Sequence, residues 1–316
     1  MAQKVAVIGA GVSGLTCAVL FAERGYRTAI FAEEVGASTT SAAAAAMWYP
    51  YDAGPSNKTI AWALETYRTL LDLARVPGSG VSVIELRQFS RAGDIRMPDW
   101  ALPLGARSLG SEIPAAFASG FAMNVPLTDT TIYLDYLAQR FDRAGGEIHR
   151  NKSFATLEEV DRSHDLVINC SGIGSRILAP DSELEPHRGQ VAIVPKTNLP
   201  YAVVCDDPPL TYAIPRTNDC VLGGTNELSD NREIDPAATA RIVAECVRVL
   251  GLDQPDILGE RVGLRPFRRS GVRVDRAQLR DGRTVIHDYG HGGSGFTLSW
   301  GCAEAVARLA LERDVT

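Results

Sequence analysis

With 316 residues, 45% of them apolar and 22% charged, the chain has ordinary globular composition and is long enough for two domains, since single cores stop growing near ~250 to 300 residues. A net charge of −6 argues against a nucleic-acid or membrane-surface partner, which calls for a basic patch, and no apolar run approaches the ~20 residues of a membrane span. Met1-Ala2-Gln3-Lys4 leads directly into a strand pattern without a signal peptide, the last residues Arg313-Asp314-Val315-Thr316 are no peroxisomal address, and the cysteines at 17, 170, 205, 220, 246 and 302 lack C-x-x-C spacing. Reduced, buried thiols in a cytoplasmic protein are therefore expected, with no disulfide frame and no metal site.

In chain order, Val5-Ala6-Val7-Ile8-Gly9-Ala10-Gly11-Val12-Ser13-Gly14-Leu15 predicts strand, tight turn and helix, with a helical pattern over 15–24 that Gly25 closes. In Gly9-x-Gly11-x-x-Gly14 the first glycine allows the turn, the second admits a pyrophosphate close to backbone, and the third lets helix and strand pack. The phosphates then sit on the helix start, at Val12 and Ser13, where N–H groups and the macrodipole favour negative charge. A second strand, Arg27–Ala32, ends at Glu33 and Glu34, near the ~20-residue offset at which an acid holds a ribose hydroxyl. Glu33 is the expected ribose ligand and Glu34 the solvent-facing neighbour.

Next come Gly36-Ala37-Ser38-Thr39-Thr40-Ser41, five alanines and Met47-Trp48-Tyr49-Pro50-Tyr51. Small hydroxyl residues before alanines suit a loop and helix start passing close to a ligand, with Thr39, Thr40, Ser41, Met47 and Trp48 as contacts; a plain Ala-rich helix fits the same residues. Residues 57–75 predict a core-facing amphipathic helix. Residues 76–127 break into short β-like runs, and 128–144 are again helical. A short strand is expected over 154–160, and a buried one over 165–170 runs into a second glycine turn, Ser171-Gly172-Ile173-Gly174. Further strands are predicted over 188–194, 212–215 and 221–225, a helix over 236–251, then a strand over 284–287, a glycine-rich turn over 288–295 and a closing helix over 296–312. Without repeats or a low-complexity linker, the domains interleave by chain crossing.

The stretch Val285-Ile286-His287-Asp288-Tyr289-Gly290-His291-Gly292-Gly293-Ser294-Gly295-Phe296-Thr297-Leu298-Ser299-Trp300-Gly301 resembles the signature of the D-amino-acid oxidase family. Other matches fall in the family's order: the small-residue loop before Met47-Trp48-Tyr49-Pro50, Asn169-Cys170-Ser171-Gly172, Arg188-Gly189-Gln190, Tyr212-Ala213-Ile214-Pro215-Arg216, Leu222-Gly223-Gly224-Thr225 and Gly263-Leu264-Arg265-Pro266-Phe267-Arg268-Arg269. The resemblance covers essentially the whole chain. It implies an α/β fold in which a Rossmann-type FAD-binding domain (1–50, 128–180 and 258–316) interleaves with an α+β substrate domain (51–127 and 181–257) on a mostly antiparallel sheet. Asp288 departs from the family, which usually has a neutral polar or small residue there.

FAD is the cofactor the resemblance implies, and the reaction is hydride transfer from Cα of a D-amino acid to flavin N5. Oxygen is reduced to H2O2, and the imino acid hydrolyses to a 2-oxo acid and ammonia. Arg265 matches the family's arginine for the substrate carboxylate, a planar, always-charged bidentate partner, and Tyr212 matches a tyrosine donating to the same carboxylate. Without the resemblance, Arg261, Arg265, Arg268 and Arg269 read as a solvated charge cluster and Tyr212 as a core-facing strand residue. The Gly293 carbonyl corresponds to the amine acceptor, while Ser171, Gly172, Gly290, Gly292, Gly295 and Phe296 correspond to flavin contacts. The helix start near Phe296 would face the flavin N1–C2=O edge, with Thr297 adding a donor. His287 and His291 take structural or flavin-positioning roles, since this chemistry needs no protein base.

The partners implied are a small amino acid or substituted amine and O2, with a homodimer left open. A glycine or N-substituted-glycine oxidase of the same fold is the alternative, because 206–211 are short and lack a tyrosine for a long aromatic lid. An NAD-linked dehydrogenase or a nucleotide-binding module fits the glycine triplet alone, and protein that purifies yellow separates the flavoprotein from both.

Overall fold

In the computed structural model, which describes residues 3–51, 54 and 56–312, β1 (Lys4–Ile8) has Val5, Ala6 and Val7 fully buried. A strand covered on both faces reads as a continuous apolar run, as parallel central strands do. Gly9, at φ +108°, turns the chain into α1 (Val12–Glu23), and Gly25, at φ +86°, lies just past its end as the sequence predicts. Then β2 (Arg27–Ala32) returns parallel to β1. The short α2 (Thr40–Ala43) is capped by Thr39, whose side chain accepts from the Ala42 amide, and α3 (Asn57–Leu73) by Ser56, which accepts from Thr59.

The next strands, β3 (Val81–Ser90), β4 (Arg107–Ser108) and β5 (Ser119–Thr128), pair antiparallel before α4 (Thr130–Arg143), β6 (Glu147–Arg150) and β7 (Leu166–Asn169). Following α5 (Ser175–Leu178) come β8 (Leu184–Pro195), β9 (Ala202–Cys205), β10 (Thr211–Pro215), β11 (Asp219–Gly223), β12 (Glu227–Leu228) and α6 (Pro236–Leu250). The chain ends with β13 (Gly259–Arg268), β14 (Arg273–Gln278), β15 (Thr284–Tyr289) and α7 (Gly295–Leu311). Met1, Ala2 and the terminal 313–316 lie outside the described residues.

Two sheets result. The smaller runs β14-β15-β7-β1-β2-β6, parallel except for β14. Chain order reverses at β1, and that switch point opens a crevice beyond the strands' C-terminal ends. The larger runs β12-β8-β11-β10-β9-β3-β5-β4, with β13 on the other side of β8; its pairs are antiparallel except β3 with β9.

Three expectations change. Residues 154–160 form no strand: Glu159 reaches back to the Ala155 amide (2.8 Å) and closes a 3-10 turn over Leu157–Glu159, and the local strand is β6. β13 pairs with β8 from Gly259↔Ile193 to Arg268↔Leu184, so it belongs to the larger sheet although 258–316 were assigned to the nucleotide side. Helix α3, assigned to the substrate side, packs on α7 so closely that a Cβ on Gly301 would lie 2.2 Å from the Trp62 carbonyl oxygen. Its apolar stripe therefore serves the helix layer as well as the sheet that follows it in sequence, where the Tyr67 hydroxyl donates to the Asn124 carbonyl of β5 at 3.0 Å.

Candidate active site

One cavity of about 590 Å³ runs from the β1–α1 turn to the face of the larger sheet. At one end Gly9, Gly11, Val12 and Ser13 line it, beside Glu33, Glu34 and Ser171 to Gly174. A Cβ on Gly14 would sit 2.0 Å from the Gly9 oxygen, and one on Gly9 would sit 2.5 Å from the Cys170 oxygen, so these two glycines let β1, α1 and β7 converge. A Cβ on Gly11 would meet only Ser41 Oγ, at 3.0 Å. Gly11 thus keeps room on the cavity side, as a closely approaching pyrophosphate requires. Thr39, Thr40 and Ser41 line the same stretch, and Ser41 Oγ accepts from the Val12 amide at 3.0 Å. The open first turn, the acids and the length of the cleft fit a dinucleotide lying across the switch point.

Glu34 keeps a solvent-facing side chain and adds a partner that its sequence neighbourhood does not show. Its carboxylate accepts from Arg232 Nη1 at 2.6 Å, an ion pair joining the two halves at the cavity edge, whereas Glu33 is exposed. Lys152, Ser153 and Phe154, which the sequence reading did not single out, also line this end.

At the middle of the cavity lie Met47, Tyr49, Gly292, Gly293, Gly295, Phe296 and Thr297. The Tyr49 amide donates to Thr297 Oγ1 (3.1 Å) and the Tyr51 amide to Ser294 Oγ (2.7 Å). Both hydroxyls in turn donate back to the carbonyls of the same tyrosines. Thr297, expected to donate to a flavin, therefore spends its proton on Tyr49 and fastens the segment before Tyr51 to the start of α7. Gly293 leaves room for Tyr51, whose ring atom Cδ1 would be 2.4 Å from a Cβ there.

Trp48 and Gly290 were also expected to touch the cofactor and do not line the cavity. Trp48 is buried, donates to the Ala63 carbonyl at 2.9 Å and packs edge-on against Tyr67 and Trp100. Gly290, at φ +83°, abuts the Arg268 side chain. Gly14, as its contact with Gly9 shows, is likewise a packing position outside the lining.

Behind this segment Asp288 is fully buried. His291 Nε2 lies 3.0 Å from its Oδ1, and Cys17 and Cys170 donate to Oδ2 at 3.4 and 3.7 Å. The hydrogen bond with Cys170 and burial push the Cys17 thiol up, and burial pushes Cys170 up, so both stay protonated donors. That is how the chain accommodates an acid at this turn. His287 lies against Asn169 (3.2 Å), and burial, with help from the nearby Arg273 guanidinium, pushes it down to about 4, leaving the ring neutral.

At the far end Tyr212 and Arg265 come together on the larger sheet. Burial pushes the Tyr212 phenol up, and the Arg265 guanidinium beside it opposes the shift. Arg265 Nη1 donates to the Thr225 carbonyl (2.9 Å) and to Asn226 Oδ1 (3.2 Å), which fixes its plane. The sequence hid why this pair fits. A Cβ on Gly189 would lie 2.4 Å from the guanidinium, and one on Gly223 would lie 1.9 Å from the Tyr212 ring; both glycines were visible as motif members, but their service appears only when β8 meets β13 and β10 meets β11. The other arginines are committed elsewhere: Arg261 to the Ala42 carbonyl, Arg268 to Asp181 and Glu183, and Arg269 to Glu185.

A family model described as FAD dependent oxidoreductase matches residues 4–309. The chain is 38% identical to a D-amino-acid oxidase of Rubrobacter xylanophilus, with 97% of this chain and 95% of that protein covered. It is 34% identical to the D-aspartate oxidase of Homo sapiens, over 98% of this chain and 95% of the other. A solved glycine oxidase from Geobacillus kaustophilus shares the fold, with a TM-score of 0.83 at 18% identity, covering 99% of this chain and 96% of that one.

Proposed function

The chain belongs to the family of FAD-dependent oxidoreductases whose model spans residues 4–309, and from that premise we propose that it is a D-amino-acid oxidase, converting a D-amino acid, O2 and water into a 2-oxo acid, ammonia and H2O2. FAD, when bound, supplies the acceptor for the Cα hydrogen with its electron pair and the route of those electrons to O2. The observation that carries the reading is the meeting of Arg265 and Tyr212 in the cavity whose other end is the glycine turn. A half-buried guanidinium beside a hydroxyl donor is a carboxylate clamp. In this reading Gly11, Val12 and Ser13 hold the pyrophosphate, Glu33 the ribose, and the residues from Gly292 to Phe296 the flavin side. The Gly293 carbonyl accepts from the substrate amine, which leaves orientation and exclusion of water as the protein's main contributions.

The nucleotide part consists, on this reading, of 1–50, 128–180 and the chain after β13. The net charge of −6 supports work apart from nucleic acids and anionic surfaces. No helix among the described residues is long and apolar enough to cross a membrane. A cytoplasmic location completes the proposal and is checked by fractionation, while sedimentation decides whether the protein is a homodimer. Protein purified without added cofactor should be yellow and release peroxide in air with D-amino acids. Exclusive turnover of glycine or N-alkyl glycines would instead favour the alternative, to which the short connection between β9 and β10 lends support; colourless, inactive protein would reject both.

A further inference from the structure

We infer that Asp206 reads the substrate side chain and that the enzyme favours D-amino acids ending in a cation, of lysine, ornithine or arginine length. The inference rests on the proposed oxidase activity and deepens it. Along β9, Val203 and Cys205 pack into the apolar cluster with Phe89 and Phe117, while Val204 and Asp206 line the cavity. Val204 is paired with Tyr212. Asp206, two residues on, therefore occupies the diagonal position on the face that carries Tyr212, and diagonal neighbours stand roughly 7–8 Å apart. A carboxylate held at Tyr212 and Arg265 thus lies in the same cavity as Asp206.

The wall in between is made of Val204, Leu210 and Tyr49, apolar surface suited to a methylene stem with a charged tip. Buried Gln88 donates to Asp206 Oδ2 at 2.9 Å, so a neutral amide helps to orient the carboxylate at the cavity wall. Its neighbour shows what a merely structural acid does here: Asp207 turns away from the cavity and accepts from Ser90 Oγ (2.7 Å) and the Arg91 amide (2.6 Å). The charge of Asp206 also reaches Tyr49, whose phenol burial pushes up and Asp206 pushes up further. An acidic substrate side chain would meet this carboxylate as a like charge.

The test compares kcat/KM for D-lysine with that for D-norleucine, nearly the same stem without the ammonium, and D-arginine with D-glutamate, in wild-type holoenzyme, Asp206→Asn and Asp206→Lys. Wild type should favour D-lysine over D-norleucine by roughly tenfold or more, about the worth of one partly screened charge pair. The ratio should collapse toward one in Asp206→Asn, chiefly through KM, and Asp206→Lys should raise D-glutamate relative to D-arginine. A wild type that turns over D-norleucine as well as D-lysine, or a ratio that survives Asp206→Asn, overturns the inference and leaves the oxidase reading standing. Absence of turnover with every D-amino acid overturns both. The wild-type ratio alone decides the matter if a variant fails to fold.

Discussion

At the scale of single residues, the clamp and the glycines around it make distinct demands. Truncating a buried bidentate charge partner costs ~2 to 5 kcal/mol, whereas losing one neutral hydroxyl bond to a charge costs about 1.5 to 3 kcal/mol. Arg265→Ala should therefore lower kcat/KM by about a thousandfold and Tyr212→Phe by tens to a hundredfold, with flavin retained in both, as steady-state peroxide release and the visible spectrum will show. If Arg269→Ala proved the more damaging change, the carboxylate would be misplaced. Gly189→Ala should mimic part of the Arg265 loss without touching it, because the new methyl would claim the guanidinium's space. At the other end, Gly11→Val should give folded but colourless protein, since only the hydroxyl of Ser41 faces its Cβ within the fold. His287 yields a pH prediction. Its native value of about 4 lies below the unfolded 6.5, so the unfolded chain binds more protons between those limits and stability is lost as pH falls from 6.5 toward 4. The loss reaches on the order of 3 kcal/mol, and His287→Gln should flatten that part of a denaturation-against-pH curve.

At the scale of elements, much was legible because each signal was local. The turn after β1, the helix over 236–251 with Asp235 and Pro236 at its start, and the strand leading to Ser171 are written in apolar period, caps and glycine stops. Asp235 caps α6 through the Ala237 amide at 2.9 Å, and Gly251 ends it at φ +62°. What stayed hidden depended on partners distant in sequence. Residues 259–268 carry three arginines and little alternation, so only the ten-residue register with β8 makes them a strand. Trp48 sits within a motif of cofactor-facing residues, yet its indole belongs to the helix layer. Arg232 carries no signal at all until Glu34 stands opposite. The ion pair gives an element-level prediction: Arg232→Ala should leave the fold intact and weaken FAD binding several-fold by loosening the edge where Glu33 and Glu34 meet the cleft, measured by flavin fluorescence. Unchanged affinity would make that bridge a surface ornament of the kind commonly worth ~0 to 1 kcal/mol.

Over the whole molecule, the cavity gathers residues from both sheets, from Ile8 near one end of the chain to Thr297 near the other, which makes ligand and fold strongly linked. Saturating FAD at about a hundred times its dissociation constant should stabilise the native state by about 2.7 kcal/mol, and a melting temperature that ignores added FAD would contradict the site. The same dispersion bears on synthesis. β1 is apolar from Val5 onward, but its two sheet neighbours are β2 and β7, and β7 in turn needs β15; the segment before Tyr51 is held by hydroxyls of Ser294 and Thr297. A ribosome making this chain at about 5–20 residues per second must therefore release most of it before β1 gains its full cover or Tyr49 its clasp. The nascent N-terminal half spends many seconds as an exposed strand edge in need of a chaperone, and a messenger truncated ahead of α7 should yield aggregate in place of a smaller working protein.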